Sequence, residues 1–90
     1  MQIEFDEAKR KKTLAERGLD FAQAVEVFAG PHFTGQDSRQ AYLEDRFITA
    51  GLMGGRLVVM VWTPRGAARR IISMRKANAR EKALYEKNLD

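Results

Sequence analysis

Ninety residues, 44% of them hydrophobic, suffice for one compact domain spanning 1–90 and are too few for two. With no cysteine and a single histidine, the chain has no disulfide framework, no thiolate nucleophile and no cysteine- or histidine-clustered metal site, and no motif calls for a cofactor. The net charge of +4 is unevenly spread: residues 56–82 carry eight Lys/Arg against one acid, Glu81, a local field that fits an anionic partner, nucleic acid first.

The opening "MQIEFDEAKRKK" lacks the apolar core of a signal peptide. The longest apolar run, residues 57–62, falls far short of the roughly 20 residues of a membrane span, so a cytoplasmic chain without a membrane role is expected. Residues 3–5, "IEF", suit a short opening strand. "DEAKRKKTLAERG" reads as a helix with Asp6 as its cap, Glu7 near its positive end and Gly18 at its left-handed exit. Its Lys9-Arg10-Lys11-Lys12 run reads as a solvated face. "LDFAQAVEVFAGP" reads as a second helix: Asp20 and Gln23 have capping-box spacing, Phe21, Ala24, Val25 and Phe28 recur at helical period, and Gly30-Pro31 stops it.

Residues 32–34 suggest a short strand. "EDRFITAGLM" predicts another, with Gly54-Gly55 as a hairpin turn. "RLVVMVWT" is a continuous apolar run suited to a central strand covered on both faces. Pro64-Arg65-Gly66 marks a turn, "ARRIISMR" a final strand, and Asn78 with Glu81 a capping box that opens a helix to about Lys87. The order β-α-α-β-β-β-β-α predicts an α+β domain: an antiparallel sheet, two N-terminal helices and a C-terminal helix, with the helices gathered on one face.

Strand side chains alternate between faces. In the last strand Arg69, Ile71, Ser73 and Arg75 therefore share one side, and Arg70, Ile72 and Met74 the other. The Ile72 and Met74 side is expected to face the helices, with Arg70 at its rim. The opposite side becomes a phosphate-binding surface, because guanidinium groups engage phosphate oxygens through paired planar hydrogen bonds. Arg65 and Lys76 are placed at its rim, and binding to a nucleic-acid backbone there weakens with salt.

"FDEAKRKKTLAERGLDFAQAVEVF", "YLEDRF" and "VWTPRG…RRIISMRKANAREKALYE" together resemble the BrnT ribonuclease toxins of bacterial type II toxin–antitoxin systems. The three blocks stand in family order over most of the chain. The resemblance implies a RelE-like α+β fold, RNA cleavage that inhibits translation, and a BrnA-type antitoxin. That antitoxin would cover the toxin in a hetero-oligomer and bind operator DNA through its own ribbon-helix-helix segment. Three positions depart from the pattern: Thr13 stands where Asn is frequent, Glu16-Arg17 where a Lys-His pair is, and Met74 where a small residue is. Arg17 does not replace a histidine base, since arginine stays protonated.

Metal-free RNA cleavage needs a base for the 2′-hydroxyl and cations for the phosphorane. Arg65, Arg70 and Arg75 are assigned to phosphate and transition-state contacts, with Arg69 and Lys76 as further RNA contacts. Glu44 and His32 are the candidate proton-transfer groups, with a plain surface role as the alternative for His32. Ser73 either orients a phosphate or fills a sheet position, and Arg46 is either a phosphate ligand or an ion-pair partner. Trp62 either stacks on a base or belongs to the core. Glu81 and Tyr85 share one face of the last helix; capping accounts for Glu81, and core packing is one reading of Tyr85. The same charge pattern also fits a non-catalytic module that holds RNA or an acidic peptide.

Overall fold

The computed structural model describes residues 1–89. Its elements are β1 (Gln2–Phe5), α1 (Glu7–Arg17), a 3-10 turn (Phe21–Gln23), α2 (Ala24–Ala29), β2 (His32–Gln36), β3 (Phe47–Met53), β4 (Arg56–Arg65), β5 (Ala68–Lys76) and α3 (Ala79–Lys87). The strands form one sheet in the order β1-β5-β4-β3-β2. β2 to β5 are antiparallel neighbours, as the turns at Gly54-Gly55 and Gly66 require, but β1 lies parallel to β5 in the register Gln2↔Ala68 to Phe5↔Ile71. The sheet is therefore mixed rather than antiparallel throughout. With helices between β1 and the rest, the chain returns to the free side of β5 instead of extending the meander.

The helices do not gather on one face. Alternation along β4 sends Val58, Met60 and Trp62 to one side, where they pack with Leu19, Phe21, Ala24, Val27, Phe28, Ile71 and Met74. Leu57 and Val59 go to the other side, against Ala77 and Tyr85 at α3. β4 is covered on both faces, and each fully buried large apolar side chain contributes roughly 1.5–3 kcal/mol.

Two local expectations change. The second helix shrinks to six residues behind a 3-10 turn, because Asp20 accepts from the Ala22 N–H and also grips Arg10 rather than closing a box with Gln23. That start shifts the helical phase, so Val27 is buried and Val25 is exposed. In β5 the register runs Val61↔Ser73 and then Trp62↔Ile71, leaving Ile72 as the extra residue of a bulge. Ile71 and Met74 thereby both reach the core on the α2 side, which strict alternation forbids. Arg65 closes β4, and the turn is at Gly66, whose φ of +58° suits a residue without Cβ. Pro64 is accommodated where β3 no longer pairs with β4.

The capping box of Asn78 and Glu81 forms with both reciprocal bonds, and Gly18 ends α1 at φ +68°. α1 buries no side chain. Two polar links hold it: Arg10 to Asp20, at 2.8 and 3.1 Å, and Arg17 Nη1 to the Met74 carbonyl, at 2.7 Å. Among the described residues no helix is long and apolar enough to cross a membrane.

Candidate functional site

The bulge decides which cations share a surface. Arg70 pairs in register with Thr63, Ser73 with Val61 and Arg75 with Val59, so all three lie on the α3 side of the sheet. Glu4 neighbours Arg70 in the parallel β1–β5 pair, while Ile3 and Phe5 pack on the opposite face. Arg69 is turned away from this group. Its guanidinium lies over the Phe28 ring at 4.4 Å and the Trp62 ring at 4.6 Å on the α2 side, a cation–π seat that removes it from any surface shared with Arg75.

Arg65, Arg70 and Arg75 each have a carboxylate. Arg65 meets Glu44 at 3.2 Å and Arg70 meets Glu4 at 3.2 Å, each through a single contact. Arg75 forks onto Glu81 with two bonds of 2.8 Å, and Glu81 also accepts from the Asn78 N–H. The two kinds of pair differ in consequence. Single-contact exposed pairs contribute about 0–1 kcal/mol and yield readily to another anion, whereas a bidentate pair held by a third donor is a fixed structural joint. The Arg75 guanidinium draws the Glu81 carboxyl down from 4.5 to about 2, aided by the Asn78 N–H and opposed by partial burial. Such a carboxylate stays ionised and is a weak base. Arg39 lies close enough to repel Arg75, and its own fork onto the buried Asp37 holds that carboxyl well below the usual range.

The remaining candidates separate. Trp62 is 7% exposed, donates from Nε1 to Thr49 Oγ1 at 2.8 Å and stacks with Phe47, so it belongs to the core and presents no face to a base. His32 is half-buried, donates from Nδ1 to the Gly30 carbonyl and sits edge-on to Phe28. It lies in the row of Val58, about 23 Å along β4 from Arg65, and so does not share a site with it. Lys76 pairs with Val58 and points to the opposite side from Arg75, away from the rim where it was placed. Arg46 covers the Tyr42 ring at 4.2 Å, and its Nε is buried without a partner among the described residues. Glu44 and Arg65, in contrast, are brought together from distant positions at the same end of the sheet.

The carboxylate partners Glu4, Glu44 and Glu81 set the character of this surface, and only Glu81 had a local signal, its capping spacing. Among the described residues no group of three His, Asp or Glu stands ready for a metal ion. A search of curated proteins returns no match. A family model described as the ribonuclease toxin, BrnT, of type II toxin–antitoxin systems matches residues 5–81, a span that includes α1, the whole sheet from β2 to β5 and the start of α3. The chain therefore belongs to the BrnT family of type II toxin–antitoxin ribonuclease toxins, a family that comes with an antitoxin partner.

Proposed function

We propose that this chain is a cytoplasmic endoribonuclease toxin with a RelE-like fold. In this reading it cleaves RNA without a metal, inhibits translation, and is neutralised by a BrnA-type ribbon-helix-helix antitoxin that carries the complex to operator DNA. The observation that carries the reading, beside family membership, is the meeting of Glu44 and Arg65 at 3.2 Å in a partly exposed position. A base and a phosphate ligand are the two parts the reaction needs side by side. Glu44 takes the 2′-hydroxyl proton, the 2′-oxygen attacks the adjacent phosphorus, and Arg65 neutralises the phosphorane. The P–O5′ bond breaks, the departing oxygen takes a proton from water, and the products are a 2′,3′-cyclic phosphate and a 5′-hydroxyl end. Arg70, released from Glu4, holds a neighbouring phosphate, while Arg75 braces α3.

Incubating the purified protein with a long RNA in EDTA tests this. Fragments with 2′,3′-cyclic phosphate ends are expected, and Glu44→Gln is expected to slow their appearance about 10²–10⁴-fold, the usual contribution of a general base. Undiminished cleavage by Glu44→Gln removes that residue from the mechanism. The carboxylate pairing of all three arginines favours a second reading, an RNA-binding module without catalysis. Stable RNA complexes that never fragment decide for it.

A further inference from the structure

Helix α1 is the least buried element of the fold and among the most charged, and that combination needs a reason. It carries Lys9, Arg10, Lys11, Lys12 and Arg17 but buries no side chain, so packing does not explain its place. Its basic run is not a uniformly solvated face. Arg10 turns back to Glu7 and Asp20, whereas Lys9, Lys12, Thr13 and Arg17 line one wall of a cleft whose other side is the edge of β5 at Ile72 and Ser73, with Phe21 also in its lining. β1 stops pairing at Ile71, so the β5 edge at this cleft has no strand beside it.

Charge balance distinguishes this cleft from the α3 side of the sheet. There Arg65, Arg70 and Arg75 are each matched by a carboxylate. Lys9, Lys12 and Arg17 form no ion pair among the described residues, and Arg17 bonds only the neutral Met74 carbonyl. One acid, Glu16, lies in the same wall. The cleft holds about 340 Å³, room for a backbone phosphate with its sugar but not for a packed helix.

We propose that the α1–β5 cleft is a binding site for the phosphate backbone of single-stranded RNA. Lys9 and Lys12 supply the charge, and Thr13 supplies a hydroxyl donor beside them. Arg17 fixes the helix at its distance from β5 through Met74. The Ile72 bulge at its wall helps shape the opening. The cleft thus extends the RNA path beyond the cleavage residues, and the inference rests on the RNA-cleaving reading above. RNA is favoured over an acidic peptide because unpaired cations beside a hydroxyl suit evenly spaced phosphates.

The test uses a fluorescein-labelled single-stranded RNA with 2′-deoxy residues, which binds without being cut, and follows anisotropy between 50 and 200 mM KCl. Lys9→Gln/Lys12→Gln is compared with Lys11→Gln/Lys87→Gln, which removes the same charge elsewhere. All four lysines are exposed, so both variants are expected to keep the parent's circular dichroism and melting behaviour. The cleft variant should bind about tenfold or more weakly, with a slope of log K against log salt shallower by about 1.4, or about 0.7 per lost phosphate contact. The control should keep the parent slope. Equal losses in both variants, or a cleft variant that binds like the parent, overturn the proposal while leaving RNA binding intact. A cleft variant that keeps its RNA slope but loses affinity for poly-glutamate overturns it in favour of an acidic-peptide site. Failure of the unaltered protein to bind RNA overturns both this inference and the function it rests on.

Discussion

At Gly51 there is no room for a methyl group. A Cβ built there meets Val27 Cγ1 at 2.7 Å and His32 Cβ at 3.1 Å, where α2 and the start of β2 press on β3. Gly51→Ala is therefore expected to cost about 1–3 kcal/mol, the usual penalty of overpacking, as a fall in the urea midpoint at unchanged slope. Glu81 provides a titration test. A carboxyl held down from 4.5 to about 2 in the folded chain adds stability that is complete above 4.5 and lost as pH falls toward 2. Unfolding midpoints of the parent should decline across that window, and Glu81→Gln should flatten part of the decline. The slope that remains belongs to carboxyls such as Asp20 and Asp37, held down by Arg10 and Arg39. An unaltered slope in Glu81→Gln means that the Arg75 joint adds nothing to folding.

Among the elements, α3 depends on one buried residue. Tyr85 is 6% exposed, meets Phe33 edge-on at 5.5 Å and donates to the Pro31 carbonyl at 2.8 Å. Tyr85→Phe should cost about 1 kcal/mol for the hydrogen bond, and Tyr85→Ala about 3–5 kcal/mol for the ring, both read by denaturant titration. Equal effects of the two variants would locate the helix's anchorage in the Arg75–Glu81 pair instead. The ends of α3 and α1 were legible in the sequence because caps are local: Asn78 and Glu81, or Asp6 and Gly18, act within one turn. The side of the sheet on which α3 lies was not, since that depends on Leu57, Val59 and Tyr85 meeting across the molecule. The bulge at Ile72 was equally hidden. A run such as Arg69-Arg70-Ile71-Ile72 reads as alternation until the register with β4 is known.

At the scale of the whole molecule, three of the eight cations in the basic segment are paired with acids, and two of those acids are carried to it by the fold, Glu4 from β1 and Glu44 from the loop before β3. Charge counting located the cations of the chain but not the carboxylates that meet them, because ion pairs between distant positions leave no local mark. β1 contributes more than Glu4. Ile3 and Phe5 pack on the main core, and the strand covers the β5 edge as far as Ile71. Deleting residues 1–5 should lower the melting temperature and produce concentration-dependent association in sedimentation velocity, as an uncovered strand edge with unpaired backbone groups seeks another strand. A monomeric variant with unchanged melting would show that β1 is dispensable. The parallel pairing also imposes an order in time. Gln2 leaves the ribosome long before Ala68, roughly 3–13 s earlier at 5–20 residues per second, so the first strand made must wait for the last. Through that interval the nascent chain has α1 but no β5 beside it, and a message cut short before Ala68 yields a polypeptide with its lysines and no groove to place them in.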